Sequence, residues 1–323
     1  MIYSTWLDRP LSVAGRVLVR TEKGAAARLV DFSEPVCIMP NVAIHMNRNA
    51  NKDTNYNPAV DLQPLYGLKG RAGTMRERVA ALAGVKSEDI LGTDLYVYNP
   101  QKGVEWSDFV TAPRLDDLQC VFSTLEAFLS SGTAASVPVM AVFDNEEVGS
   151  HTKQGAASTF LRDTLERINA ALGGAAEDMR RAVAASLMLS CDNAHSVHPN
   201  HPEYADSMNK PIMNGGIVIK FNAAQRYTSD GVSTALFRLI CSQAGVPVQT
   251  YANRPDIPGG GTLGNISASQ VSLDAVDIGL AQLAMHSSCE TAGAEDTEYM
   301  IKAVRLFFEK TLVPGENGEY ELR

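Results

Sequence analysis

The 323-residue sequence predicts an α/β protein: a three-layer domain with a largely parallel central sheet, preceded by a smaller, mainly β segment. Three observations carry that expectation. From about residue 93 onward, short apolar runs alternate with stretches of helical spacing, the pattern of strands joined by crossover helices. Before residue 93 the pattern is mostly strand-like, so 1–92 and 93–323 read as separate domains. Several apolar runs of the second part are followed by carboxylates or histidines, and open α/β sheets gather functional groups beyond the carboxyl ends of their strands.

In the first segment, residues 12–20 alternate apolar and polar side chains and read as a strand, with shorter strands at 28–32 and 35–39. Residues 44–57 turn polar, with asparagines at 47, 49, 51, 55 and 57, and read as a loop. Residues 74–84 have helical spacing through Met75, Val79, Ala80 and Leu82, and Gly84 is a plausible stop. His45, at the edge of an apolar run, reads from its neighbours alone as a structural histidine.

In the second segment, residues 94–98 read as a strand. A helix follows over 118–129, with Val121, Phe122, Leu125 and Leu129 on one face. Asp116 and Asp117 fall at its N-terminus, where acidic residues are also common for capping and dipole reasons. The apolar run 137–143 reads as a buried strand and leads into Asp144-Asn-Glu-Glu147, three carboxylates in four residues. Residues 155–171 read as a helix with Phe160, Leu161, Leu165, Ile168 and Leu172 on one face. Residues 186–191 read as a strand ending in Asp192-Asn-Ala-His195-Ser-Val-His198. Residues 217–221 form another strand and carry Lys220 among apolar neighbours; such a lysine either meets an anionic partner or snorkels to solvent. A helix over 231–244, strands over 246–251 and 275–280, and a helix over 297–310 complete the pattern. The glycine-rich turn Pro258-Gly-Gly-Gly261-Thr-Leu-Gly264 could cradle an anion, but its spacing matches neither a dinucleotide fingerprint nor a P-loop.

Composition excludes several classes. Net charge is −9 with no basic cluster, which argues against a nucleic-acid partner. The five cysteines, at 37, 120, 191, 241 and 289, form no C-x-x-C pair, against a disulfide framework or a thiolate zinc site. No apolar run approaches a membrane span, and the amino end lacks the basic and apolar regions of a signal peptide. The expectation is a cytoplasmic chain with no membrane partner.

The acidic run has two readings. It is either a solvated loop or a metal site, because carboxylates at the end of a buried strand repel one another and lose hydration, a cost that a multivalent cation offsets. Two adjacent glutamates suit the second reading, one to hold metal and one to take a proton from water.

Phe143-Asp-Asn-Glu-Glu-Val-Gly-Ser150 with Lys153-Gln-Gly-Ala156, Asp192-Asn-Ala-His-Ser-Val-His-Pro-Asn200, Lys220-Phe-Asn222 with Gln225-Arg-Tyr227, and Gln282-Leu-Ala-Met-His286 together resemble the aspartyl aminopeptidase family of dinuclear zinc exopeptidases. Thr5-Trp-Leu-Asp-Arg9, Gly15-Arg-Val17 and Ala43-Ile-His45 resemble its dimerisation domain. The resemblance runs from about Thr5 to Phe308. It implies a zinc-exopeptidase-like catalytic domain over 93–323 and a dimerisation domain over 1–92. It implies two divalent metal ions, zinc first, with cobalt or manganese as alternatives. Asp116 would bridge them, with the Asp116–Asp117 peptide cis. Glu147 and His286 would complete one site, Asp192 would serve the other, and Glu146 would be the general base. His195, Lys220, Tyr227 and Gly261 would meet the substrate, together with His45 of a neighbouring subunit. The implied activity is removal of N-terminal residues from peptides, with acidic residues favoured through Lys220, by a homo-oligomer in which dimers build a twelve-subunit shell.

One departure from the family pattern bears on the metals. The family's histidine near its amino end, in a His-x-Asp-Ser-Pro-like motif, has no counterpart among the six histidines of this sequence. The amino-terminal portion of the catalytic domain is therefore expected to be missing. The 323 residues alone are expected to hold one metal firmly at most and to have low activity. The alternative reading is a catalytically weak relative that acts as an assembly or peptide-binding protein.

Overall fold

The computed structural model describes residues 1–52, 54–71 and 73–323, which form two compact units. The first comprises Met1–Val104 with the short stretch His286–Cys289, and the second comprises Glu105–Met285 and Glu290–Arg323.

In the first unit the long strand β1 (Pro10–Thr21) pairs antiparallel with β2 (Gly24–Asp31) and with the two-residue β3 (Cys37–Ile38). A four-residue helix α1 (Pro58–Asp61) and the helix α2 (Met75–Ala83) follow, and β4 (Ile90–Tyr98) then pairs antiparallel with β1. Alternation along β1 sends Val17 and Val19 into a core with Val30 of β2, Val79, Ala80 and Ala83 of α2, and Ile90 of β4. Helix α2 begins at a capping box, in which the Thr74 hydroxyl accepts from the Glu77 N–H and the Glu77 carboxylate accepts from the Thr74 N–H. It ends at Gly84, at φ 65, a left-handed stop that glycine adopts without penalty. No helix or strand is assigned within 44–57; Asp53, inside that stretch, lies outside the described residues. The break between units falls between Val104 and Glu105 rather than between 92 and 93, because β4 is held in the first sheet by β1 from Ser12↔Tyr98 to Val19↔Ile90.

The second unit continues with β5 (Val104–Trp106), β6 (Phe109–Ala112), α3 (Leu115–Ser130), α4 (Phe160–Ala171), α5 (Ala176–Ala184), β7 (Leu187–Cys191), β8 (Ala194–His195) and β9 (Ile217–Phe221). It closes with α6 (Gly231–Ala244), β10 (Val248–Ala252), α7 (Leu263–Gln270), β11 (Asp274–Gly279), β12 (Ala281–Leu283), β13 (Glu290–Gly293), α8 (Ala294–Glu309), β14 (Leu312–Pro314) and β15 (Tyr320–Leu322). The central sheet has the order β10-β9-β11-β7. Its β10–β9 and β11–β7 pairs are parallel, while β9 and β11 meet antiparallel near Ile219 and Ile278, so the expected parallel sheet carries one antiparallel junction. A second sheet runs β5-β6-β13-β12-β8.

Ile217 and Ile219 of β9 and Val276 and Ile278 of β11 pack with Cys120 and Ala127 of α3, Phe237 and Cys241 of α6, and Met300, Ala303 and Val304 of α8. The alternate residues of the same strands, Val218, Lys220, Ala275 and Asp277, fall on the opposite face. Helix α7 lies there, with the backbone of Gly264 against Asp277 and Ser190.

The expected strand at 137–143 is not assigned as one. Val137, Val139 and Val142 are 79%, 47% and 53% exposed, and no described strand pairs with this run. Apolar composition sets a preference for burial; it does not supply the neighbouring edge that a strand needs. The helix expected from 155 begins only at Phe160, after a series of turns, and its apolar residues Phe160, Ile168 and Leu172 are exposed.

Candidate metal centre

Three segments of the second unit bring carboxylates together. The first is the start of α3, where Asp116 and Asp117 have non-helical backbone angles and the peptide between them is cis. Glu290 of β13, 2% exposed, accepts a 2.9 Å hydrogen bond from the Asp116 N–H and ties this kink to the second sheet. The second is the loop after 137–143. It closes through Asp144 N–H to the Gln154 carbonyl at 3.0 Å, Ser150 N–H to Asn145 at 2.9 Å and the Asn145 amide to Thr152 Oγ1 at 3.0 Å, and it presents Glu146 and Glu147. The third is the end of β7, where the Asp192 N–H donates to Ile278 of β11 at 3.1 Å.

Non-glycine residues in the left-handed region flank these segments: Arg114 at φ 60, Asn145 at φ 62, and Ala284 and His286 at φ 56 and 65 on the loop of the β12–β13 hairpin. Such backbone costs about 1–3 kcal/mol per residue and persists where the surroundings impose it.

The electrostatics follow from this convergence. Burial, then the charges and hydrogen bond of Asp192 and the charges of Glu147 and Glu290, push the Asp116 carboxyl far above its ordinary range. Burial and Asp192 push Asp117 up to about 6. Burial, Asp192, Glu147 and Asp117 push Glu146 up to about 7. Burial also opposes ionisation of Asp192, but Lys220 and the hydrogen bond from Asp116 outweigh it and hold that carboxyl below its usual value. Asp116 and Asp192 are thus shifted in opposite directions, because the ammonium faces Asp192.

A divalent cation fits this arrangement. It would lift the mutual repulsion of five carboxylates, which no basic side chain other than Lys220 is placed to relieve among the groups that shift them. Ligand atoms of Asp116, Glu147 and His286 lie within 4.8 Å of one another, the one such group of three found among the described residues. Two carboxylates and an imidazole are a donor set suited to zinc.

The structure links the expected substrate residues differently. His195 stands 5.8 Å from the Tyr251 ring, Tyr251 stands 6.3 Å from Tyr227, and the Lys220 ammonium lies 5.4 Å from the Tyr227 ring centre. Lys220 is 2% exposed, and its Nζ reaches the Asp192 carbonyl at 3.1 Å, the Asn193 carbonyl at 3.3 Å and Asp192 Oδ2 at 3.4 Å. An ammonium has three protons, and three acceptors surround it. In the folded chain its donors thus face protein groups. Burial favours the uncharged amine, but Asp192 and Asp277 outweigh that and keep Lys220 charged, its pKa raised. Gly261 lies in an exposed loop with the Arg226 backbone as its nearest neighbour, and His45 is exposed in the polar loop of the first unit.

Sequence reasoning missed Glu290, Tyr251 and Asp277. Glu290 sits in a four-residue strand too short for periodicity to reveal, and Asp277 interrupts an apolar run whose register no local signal sets.

The model of the aminopeptidase I zinc metalloprotease (M18) family matches residues 1–308. The chain belongs to the M18 aminopeptidase family. Membership makes it a relative of metallo-aminopeptidases, which are hydrolases, and of zinc proteins. A protein called Probable M18 family aminopeptidase 2 from Clostridium acetobutylicum is 42% identical over 316 residues, which cover 95% of this chain and 73% of that one. Among solved structures of M18 relatives, a chain in the cryo-EM structure of the Ape4 and Nbr1 complex matches with a TM-score of 0.88 at 31% identity, over 95% of this chain and 64% of that one. A chain of the S. cerevisiae mApe1 dodecamer matches with a TM-score of 0.76 at 29% identity, over 94% of this chain and 70% of that one. This chain thus spans under two thirds of the length of the first of these structures. Among the described residues, no helix is long and apolar enough to cross a membrane.

Proposed function

We propose that this M18 chain removes the N-terminal residue of peptides at a centre of two divalent metals, with zinc as the native ion and cobalt or manganese as substitutes. Asp116, Glu147 and His286 would hold one metal, and Asp116 with Asp192 would contribute to the second. The observation that carries the reading is the convergence of Asp116, Asp117, Glu146, Glu147 and Asp192, where burial and then mutual repulsion raise Asp116, Asp117 and Glu146 together. Metal bound there would polarise the scissile carbonyl and make water a better acid.

The chain's own part in the chemistry would rest on Glu146. A carboxyl with a pKa near neutrality both accepts and returns a proton, so Glu146 would take one from the attacking water and give it to the departing amine. Glu147, its neighbour, would serve as a ligand instead. Exclusion of water would fall to the walls formed by Tyr227 and Tyr251. The side chain of the residue removed would lie against His195 and Lys220, and the Lys220 cation is the group that would favour an acidic side chain. The charge balance of the chain, −9, supports a peptide rather than a nucleic-acid substrate.

The reading extends to assembly. The similarity to the mApe1 dodecamer supports a homo-oligomer; the first unit would be its dimerisation domain, and His45 would reach a neighbouring subunit's centre. Five free cysteines, none in a disulfide, support a reducing, cytoplasmic setting.

The test is a panel of aminoacyl substrates with the zinc-loaded protein, run beside Glu146→Gln and Glu147→Gln. Glu146→Gln should lose turnover and keep its metal; Glu147→Gln should lose both. Equal metal loss in the two variants contradicts the assignment. A metal-loaded wild type that cleaves no substrate favours the assembly or peptide-binding role instead.

A further inference from the structure

We infer that Thr5 and Asn99 are positioning residues for His286, the imidazole of the candidate zinc site. The inference rests on the reading of His286 as a metal ligand. The stretch His286–Cys289 belongs to the first unit, although β12 and β13 on either side of it belong to the second. His286 stands at φ 65 and Ala284 at φ 56. Neither is glycine, so this left-handed backbone must be imposed by its surroundings. The His286 side chain is exposed, and core packing therefore does not aim its ring. The path of the backbone has to do so.

Four hydrogen bonds hold that path, all from residues near the amino end or just past β4. The Ile2 N–H donates to the His286 carbonyl at 3.0 Å. The Ser288 N–H donates to Thr5 Oγ1 at 3.0 Å, and Ser288 Oγ donates to the Thr5 carbonyl at 2.6 Å. The Asn99 amide donates to the Ser288 carbonyl at 3.0 Å. Every polar group of Ser288, which is 1% exposed, is thus engaged. Thr5 and Asn99 are themselves fixed. The Thr5 hydroxyl donates to the Ile2 carbonyl at 2.8 Å, and Asn99 Oδ1 accepts from the Gln101 N–H at 3.1 Å. Removing the Thr5 hydroxyl would leave the Ser288 N–H buried without its acceptor, a costly state that a shift of the loop relieves. His286, two residues away, would move with it.

A positioning role differs from a merely stabilising one in what it changes. Contacts that only stabilise the first unit would alter its melting temperature and leave the zinc affinity of the folded protein as it is. Zinc affinity is therefore measured by calorimetry on the metal-stripped 323-residue protein, with melting recorded in the same samples. Thr5→Val and Asn99→Ala should each weaken the tight zinc about 10–100-fold, the range typical of residues that orient a ligand. Thr5→Ser, which keeps the hydroxyl, should bind close to wild type. Val79→Ala, a cut in the first unit's core away from these bonds, should lower the melting temperature and leave zinc affinity unchanged. If Thr5→Val does not fold, Ser288→Ala, which removes the bond to the Thr5 carbonyl, carries the same expectation.

Thr5→Val and Asn99→Ala proteins with wild-type zinc affinity overturn the inference, as does a Val79→Ala protein that loses as much affinity as they do. His286→Ala separates this failure from that of the ligand reading. If it binds zinc as tightly as wild type, His286 is not a ligand and the inference falls with that reading; if it loses the tight zinc while Thr5→Val keeps it, the inference alone falls. The visible spectrum of the cobalt-loaded protein gives a readout independent of affinity. Its bands should move in Thr5→Val and coincide with wild type in Val79→Ala; bands that coincide in all three proteins would mean that His286 has not moved, and would overturn the inference.

Discussion

Asp296 is a carboxyl group held wholly out of water at the start of α8, where it accepts hydrogen bonds from the Asn214 N–H at 2.7 Å and the Gly216 N–H at 2.9 Å. Burial outweighs those bonds and pushes its pKa up to about 6, above the 3.8 of an unburied aspartate. The folded chain therefore holds a proton that the unfolded chain has released. The stability this proton contributes is full below the unfolded value and is lost as pH rises through about 6. Melting temperature should fall across that window in the wild type, and Asp296→Asn should flatten the slope; parallel curves for the two proteins would remove Asp296 as the cause. Glu290 makes a different prediction. It anchors the Asp116 N–H from a neighbouring strand. Glu290→Ala should free that peptide and lower zinc affinity by roughly 10–100-fold, read by calorimetry, while Glu290→Gln, which keeps an acceptor, should lose less. The sequence made some of these residues legible and others not. Glu146, Glu147 and Asp192 stood out because carboxylates beside apolar runs are costly without a partner. Glu290 and Asp277 did not, because their reasons for being buried lie in strands distant in sequence. Lys220 was visible as a lysine in need of a partner. Its partners turned out to be two backbone carbonyls and a carboxylate at the end of another strand, which no local pattern could name.

Strand β1 depends on a glycine. Gly15 adopts φ +154, and an added Cβ would stand 2.0 Å from the Asp94 carbonyl of β4, a backbone atom that cannot swing away. Gly15→Ala should cost about 1–3 kcal/mol, seen as a lower melting temperature and faster proteolysis within the first unit. A melting temperature equal to wild type would mean that the β1–β4 ladder shifts register without penalty. Elements with a clear period or a stop signal were legible in the sequence: 74–84 with its Gly84 end, 217–221 and 231–244. The two- to four-residue strands β3, β5, β6, β8, β12 and β13 offer too few positions for a period of two to be told from chance. The run 137–143 marks the opposite failure. Its composition is that of a buried strand, yet its valines are exposed and it pairs with no described strand, since pairing depends on an edge supplied from elsewhere.

The fold class was legible because strand–helix alternation survives errors in single elements, and the boundary was less so because β4 belongs to the first sheet by pairing, not by composition. If the first unit builds dimers that assemble further, light scattering at micromolar concentration should give a mass well above the 34.8 kDa of one chain. A stable monomer would contradict the proposed assembly. The proposal as a whole rests on the carboxylate cluster being a metal centre, and zinc titration of the metal-stripped 323-residue protein by calorimetry tests that most directly. Asp116, Glu147 and His286 offer one metal three protein ligands, the number typical of a catalytic zinc with an open position. The second metal would have only Asp116 and Asp192, and Asp192 is already engaged by Lys220. The predicted result is one tight zinc per chain, lost in Glu147→Gln and kept in Glu146→Gln; no tight zinc, or two of equal affinity, would contradict it.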